Sequence, residues 1–120
     1  MYLLSQTLIA FVAAIHCYIV WLEMAAWTTR GPKVFRQFPT ELFEPTKALA
    51  ANQGLYNGFL VAGLVWALLI PELQWHRYVA TFFLSCVAVA GLYGAATASR
   101  RILLVQTVPA ALALVVLWLT

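Results

Sequence analysis

Four long apolar stretches, at about residues 2–27, 48–70, 77–98 and 102–119, alternate with short polar or helix-breaking segments along the chain. Each stretch is close to the ~20 residues needed to cross the hydrocarbon core of a bilayer. Thr28-Thr29-Arg30-Gly31-Pro32 ends the first, and Pro45-Thr46 opens the second with Thr46 as its N-cap. Pro71-Glu72 closes the second, and Ser99-Arg100-Arg101 leaves a tight hairpin between the third and fourth. Lipid offers no partner to exposed backbone N–H and C=O groups, so stretches that do not close a barrel must be helices. The pattern therefore predicts an all-α chain, an integral membrane four-helix transmembrane bundle. It forms one domain over residues 1–120, with residues 28–46 as its longest loop.

Composition agrees with this reading. Hydrophobic residues make up 64% of the 120 positions and charged residues 9%, where a soluble domain carries about a quarter charged. A soluble fold of this length could not hide so much apolar surface. The net charge of +3 does not imply nucleic acid, because the basic residues are scattered among apolar segments and build no binding face. They bear instead on orientation. Arg30, Lys33, Arg36 and Lys47 flank the first loop and Arg100 and Arg101 the third, against Arg77 alone on the other side. The bias of basic residues toward cytoplasmic loops predicts both termini outside the cytoplasm of a bacterial inner membrane. Trp27 then marks the inner interface, and Trp75 and Trp118 the outer one.

The first stretch lacks a basic leading segment and is too long for a signal peptide, so it is read as a retained helix. Cys17 and Cys86 fall in mid-helix with no CxxC motif, as two buried apolar thiols.

Candidate chemistry lies in what is polar within the apolar stretches. His16 and Glu23 are seven positions apart on the first helix, about 700° of rotation, and so share a face. Asn52, Gln53, Tyr56 and Asn57 crowd the start of the second helix. A rise of ~1.5 Å per residue, counted inward from Trp27 and Lys47, puts the two groups at matching depth. Tyr93, Thr97, Gln106 and Thr107 fall in the same half, while the opposite halves of the helices read as almost wholly apolar. An ionisable side chain in a spanning helix costs roughly 3 kcal/mol or more and normally faces protein or a water-filled cavity. His16 and Glu23 are thus candidate acid–base residues, and Asn52, Gln53, Tyr56, Asn57, Tyr93 and Gln106 candidate ligand-binding groups. The plain alternative is a hydrogen-bonded knot that only fixes helix packing. A metal site needs three or four ligands and one chain supplies two here, so no metal is assigned; no cofactor is named.

Small residues suggest how the helices approach. Gly54, Gly58 and Ala62 form one stripe, and Gly91 and Gly94 lie in another that is expected to pack against it. Pro109 cannot donate to the carbonyl of Val105 and is expected to bend the fourth helix beside Gln106. The first loop mixes basic residues with Phe35, Phe38, Leu42 and Phe43. It reads as a segment lying in the headgroup layer or as a cover over the polar pocket.

His16-x6-Glu23-Met24 and Ala51-Asn52-Gln53-Gly54-x-Tyr56-Asn57-Gly58-Phe59-Leu60 together resemble a family of small bacterial four-helix membrane proteins known only as a domain of unknown function. The resemblance covers essentially the whole chain and implies an inner-membrane protein without supplying an activity. Size and helix number are also similar to the membrane-associated eicosanoid and glutathione metabolism proteins, but their Arg-rich second-helix motif is missing. Small multidrug exporters share a first-helix glutamate and none of their other hallmarks.

Three kinds of function follow. The first is a polar pocket that binds or transforms a small lipophilic molecule. The second is a proton-coupled transporter using Glu23, which the apolar opposite halves disfavour. The third is an assembly or lipid-binding subunit without catalysis. Membrane lipid and further copies of the chain, as a homo-oligomer, are the expected partners.

Overall fold

The computed structural model describes all 120 residues, Met1–Thr120, and contains helices and turns with no strand. Helix α1 spans Tyr2–Ala25, α2 is a single turn at Gly31–Val34, and a 3-10 turn follows at Thr40–Leu42. Helix α3 spans Lys47–Leu69 and α4 Leu73–Thr97; a π-helical turn at Leu103–Thr107 leads into α5, Val108–Leu119. Two of these, α1 and α4, are long and apolar enough to cross a membrane. Helix α3 has the length, at 23 residues, but Asn52, Gln53 and Asn57 lower the hydropathy of its first half. The apolar run Leu103–Leu119 is shorter.

The chain forms two compact units, one of Met1–Ile15 with Leu60–Thr120, the other of His16–Phe59. No linker marks the division, which falls within α1 and within α3.

In the larger unit the buried positions recur at three- and four-residue steps, as a helix face requires. On α4 they are His76, Ala80, Leu84, Val87 and Gly91; on α5 they are Ala110, Ala113, Val116 and Leu117. Ile9, Val12 and Ala13 of α1 and Leu64 and Ala67 of α3 complete one apolar core. Helix α4 begins at Leu73, four residues before the expected start at Arg77. Glu72 is the reason: its carboxylate accepts hydrogen bonds from the backbone N–H of Gln74 at 3.0 Å and Trp75 at 2.8 Å, capping the first turn.

The expected bend at Pro109 takes the form of the π-helical turn. Pro109 has no N–H to give, and the N–H of Val108 reaches back five residues to the carbonyl of Leu103. The widened turn is fastened by the Thr107 hydroxyl, which donates to the carbonyl of Ala88 at 2.9 Å. Gly91 makes this possible, because a Cβ there would meet the Thr107 side chain and lie 2.8 Å from its backbone nitrogen. A Cβ on Gly94 would likewise lie 3.0 Å from Ile102. The small residues of α4 thus accommodate the segment that follows.

In the smaller unit, residues 28–46 fold on their own base instead of forming an open loop. The Trp27 indole N–H donates to the Thr46 hydroxyl at 2.9 Å, and that hydroxyl donates to the Leu42 carbonyl at 2.7 Å. Thr46 stands at the start of α3 as expected, but its side chain is used to close the loop. The Trp27 ring packs against Phe43 at 5.0 Å and Phe35 at 5.7 Å between centroids. Phe43 is buried, and Gly31 is buried beneath it, where a Cβ would lie 2.8 Å from the ring.

Large apolar side chains also cover the outward faces of the helices. Leu3, Leu69, Val89, Phe82 and Leu104 stand mostly in the open.

Candidate functional site

In the His16–Phe59 unit, the buried face of α1 carries His16, fully enclosed, and Glu23, 6% exposed. Their spacing of seven keeps them on one stripe, about 10 Å apart along the axis. Helix α3 approaches Glu23 through Gly54. A Cβ on Gly54 would lie 3.0 Å from Glu23 Cβ and 2.5 Å from Met24 Cγ, so only glycine fits there without displacement. Three residues on, nearly one turn, Asn57 donates its side-chain amide to Glu23 Oε1 at 2.6 Å. The arrangement sets a carboxyl group, able to accept or deliver a proton, against an uncharged amide in a nearly closed setting.

The other candidates lie elsewhere. Asn52 is exposed and donates to the carbonyl of Ala48 on its own helix at 3.1 Å. Gln53 is exposed. Tyr56 is 67% exposed and sets its ring edge-on to Phe59. Tyr93, 72% exposed, and half-buried Gln106 belong to the larger unit. Of the polar side chains crowding the start of α3, Asn57 is the one bonded to Glu23. Cys17, expected to be buried, is exposed, and Cys86 is half-buried; both are free thiols. No three His, Cys, Asp or Glu side chains gather as a metal site.

The larger unit holds buried polar residues that the sequence reading missed. His76 is fully buried, with Nδ1 2.7 Å from the Ala67 carbonyl. Ser5 is buried and donates to the Tyr2 carbonyl at 2.8 Å. Gln6 and Arg77 each bury a polar atom. The expectation of almost wholly apolar opposite helix halves does not hold at these residues. Recognising Glu72 as an N-cap would have exposed the signal, since a helix starting at Leu73 puts His76 in register with Ala80, Leu84 and Val87.

The fold and its buried polar groups define a small all-α protein with an intrahelical carboxylate clamped by a neighbouring amide. The chain belongs to the family described as Protein of unknown function (DUF1304), whose model matches residues 10–118. It is similar to the uncharacterized protein YpaA of Lactococcus lactis subsp. lactis (strain IL1403), with 32% identity over 117 residues, covering 96% of this chain and 97% of that protein. No solved structure matches it.

Proposed function

We propose that the chain is a multi-pass membrane protein in which the buried Glu23–Asn57 pair and His16, further along the same helix face, bind or transform a small lipophilic molecule. The observation that carries the reading is the enclosure of Glu23: an ionisable group held 6% exposed against the amide of Asn57. Such a group is costly within an apolar setting and is retained where it acts on something. In this reading Glu23 exchanges the proton or anchors a polar group of the ligand, His16 is the second acid–base group, and Asn57 positions the carboxyl.

Membrane residence is supported by the outward faces. A helix that is apolar on all sides belongs in a large core or in lipid, and a 120-residue chain has no large core. Helix α1, helix α3, helix α4 and the run from Ile102 to Leu119 are the four proposed crossings. At ~1.5 Å per residue the last reaches only the lower limit of a ~30 Å core. The bias of basic residues supports an orientation with residues 28–46 and the Ser99–Arg101 turn on the cytoplasmic side of an inner membrane and both termini opposite. A C-terminal reporter active only in the cytoplasm tests this orientation and must stay silent.

The site is tested by mass spectrometry of small molecules retained through purification in mild detergent, alongside thermal unfolding. Glu23→Gln and His16→Ala should abolish retention while the protein still inserts and folds. If Glu23→Gln leaves both retention and stability unchanged, the cluster serves packing alone.

A further inference from the structure

In the His16–Phe59 unit, the outward face of α1 carries Tyr18 and Trp21, both half-exposed, with ring centroids 5.7 Å apart. Arg30, beyond the end of that helix, reaches back to this face, and its Nε donates to the Tyr18 hydroxyl at 3.2 Å. A guanidinium thus stands beside an outward aromatic surface. Lys33 lies three residues on, in the single turn of α2, and its backbone N–H donates to the Arg30 carbonyl at 3.0 Å. Side chains at that spacing on a helical turn are neighbours. Arg36 donates from its Nε to the Lys33 carbonyl at 3.4 Å. All three basic side chains are exposed.

What this group of side chains has to offer is donors. A guanidinium and an ammonium carry N–H groups and no acceptor. Arg30 spends its Nε–H on Tyr18, which leaves the forked terminal nitrogens to bond elsewhere. The Tyr18 oxygen accepts that bond, so its own O–H remains to donate. The carboxylates of the segment, Glu41 and Glu44, come later in it, and the Nε bonds of Arg30 and Arg36 go to a hydroxyl and a carbonyl instead. A cation on the outward flank of a spanning helix is costly without a counter-charge. The turn itself is held in place, because Trp27 bonds Thr46 and packs on Phe43 at the base of the segment.

We infer that Tyr18, Arg30 and Lys33 form a site for one anionic phospholipid. Its phosphate lies on their donors and an acyl chain runs over the Tyr18 and Trp21 rings. An ionised phosphate oxygen only accepts, and a planar guanidinium fork matches a pair of such oxygens. Two cations without a carboxylate partner complement a headgroup of net negative charge and discriminate against a zwitterionic one. The rings supply what free phosphate cannot use, an apolar surface directly beside the charge, as amphipathic aromatics do at the headgroup level. The inference rests on the membrane residence proposed above and makes no use of Glu23.

The test uses the full chain in a neutral detergent, with dioleoyl phosphatidylglycerol compared against dioleoyl phosphatidylcholine and bound lipid counted by native mass spectrometry. One phosphatidylglycerol should be retained about tenfold more tightly than phosphatidylcholine, as charge-assisted hydrogen bonds to the headgroup imply. Arg30→Gln should weaken that retention about tenfold, and Tyr18→Phe, which keeps the ring and loses the O–H, about fivefold. Lys47→Gln removes a positive charge from the same unit outside the site and should leave retention unchanged. Inorganic phosphate in large excess should not displace the lipid. Equal retention of the two lipids overturns the proposal, and this wild-type comparison decides even where a variant fails to fold. So does an equal loss in Lys47→Gln and Arg30→Gln, the mark of diffuse surface charge, or displacement by inorganic phosphate. A chain that stays in solution without detergent fails the membrane reading, whereas one that needs detergent yet holds both lipids alike fails this proposal alone.

Discussion

Asn57 of α3 donates its amide to the carboxylate of Glu23, 34 residues earlier on α1, at 2.6 Å. The pair is enclosed on one side by the close approach at Gly54, which fixes the separation of the two helices where they meet.

Removing the amide should therefore be costly. Asn57→Leu should destabilise the protein by about 1–3 kcal/mol, the cost of a buried polar group left without its partner. Asn57→Asp should cost more, because two carboxyl groups then face each other. Combining it with Glu23→Gln restores one amide and one carboxyl in reversed order and should recover most of the loss. Thermal unfolding of the two single variants and the double variant measures this. Purely additive losses would show that the pair does not interact.

The two glycines of the GxxxG pair should behave oppositely. Gly54→Ala collides with Met24 and Glu23 and should lower stability by about 1–3 kcal/mol through overpacking. Gly58 has open space where a Cβ would stand, so Gly58→Ala should be neutral, or stabilising by about 0.5–1 kcal/mol through helix propensity. If Gly58→Leu shifts the protein from a larger to a smaller species in size-exclusion chromatography, the open face of Gly58 is where copies of the chain meet.

The π-helical turn gives a third expectation. Gly91→Ala places a methyl group against Thr107, whose backbone nitrogen would lie 2.8 Å away, and backbone cannot yield as a flexible side chain does. A loss above about 2 kcal/mol is expected. Thr107→Val, which loses only the bond to the Ala88 carbonyl, should cost about 1 kcal/mol. Equal effects of the two would mean that the segment shifts freely away from α4.

The folded 28–46 segment depends on Trp27 and Thr46. Trp27→Phe and Thr46→Val each remove the indole–hydroxyl bond and should accelerate proteolysis within the segment and amide exchange there, with global stability falling by about 1 kcal/mol. Cleavage at the wild-type rate in both variants would show that the aromatic packing of Phe35 and Phe43 holds the segment unaided.

Much of the helical layout was legible in the chain because long apolar runs punctuated by proline, glycine and charge leave few alternatives to helix. The shared face of His16 and Glu23 was equally legible, since a spacing of seven fixes it whatever the helix packs against. What periodicity could not decide was which face turns inward. In most proteins the apolar side of a helix answers that question, but here Leu3, Phe82, Val89 and Leu104 point outward while His16, Glu23 and His76 point inward. Hydrophobicity then no longer distinguishes inside from outside. The choice of Asn57 over Asn52, Gln53 and Tyr56 as the partner of Glu23, the open space at Gly58, the exposure of Cys17 and the burial of His76 all follow from how each helix is rotated about its axis. That rotation is set by close contacts such as Gly54 on Met24 and Gly91 on Thr107, which exist only once the helices have packed.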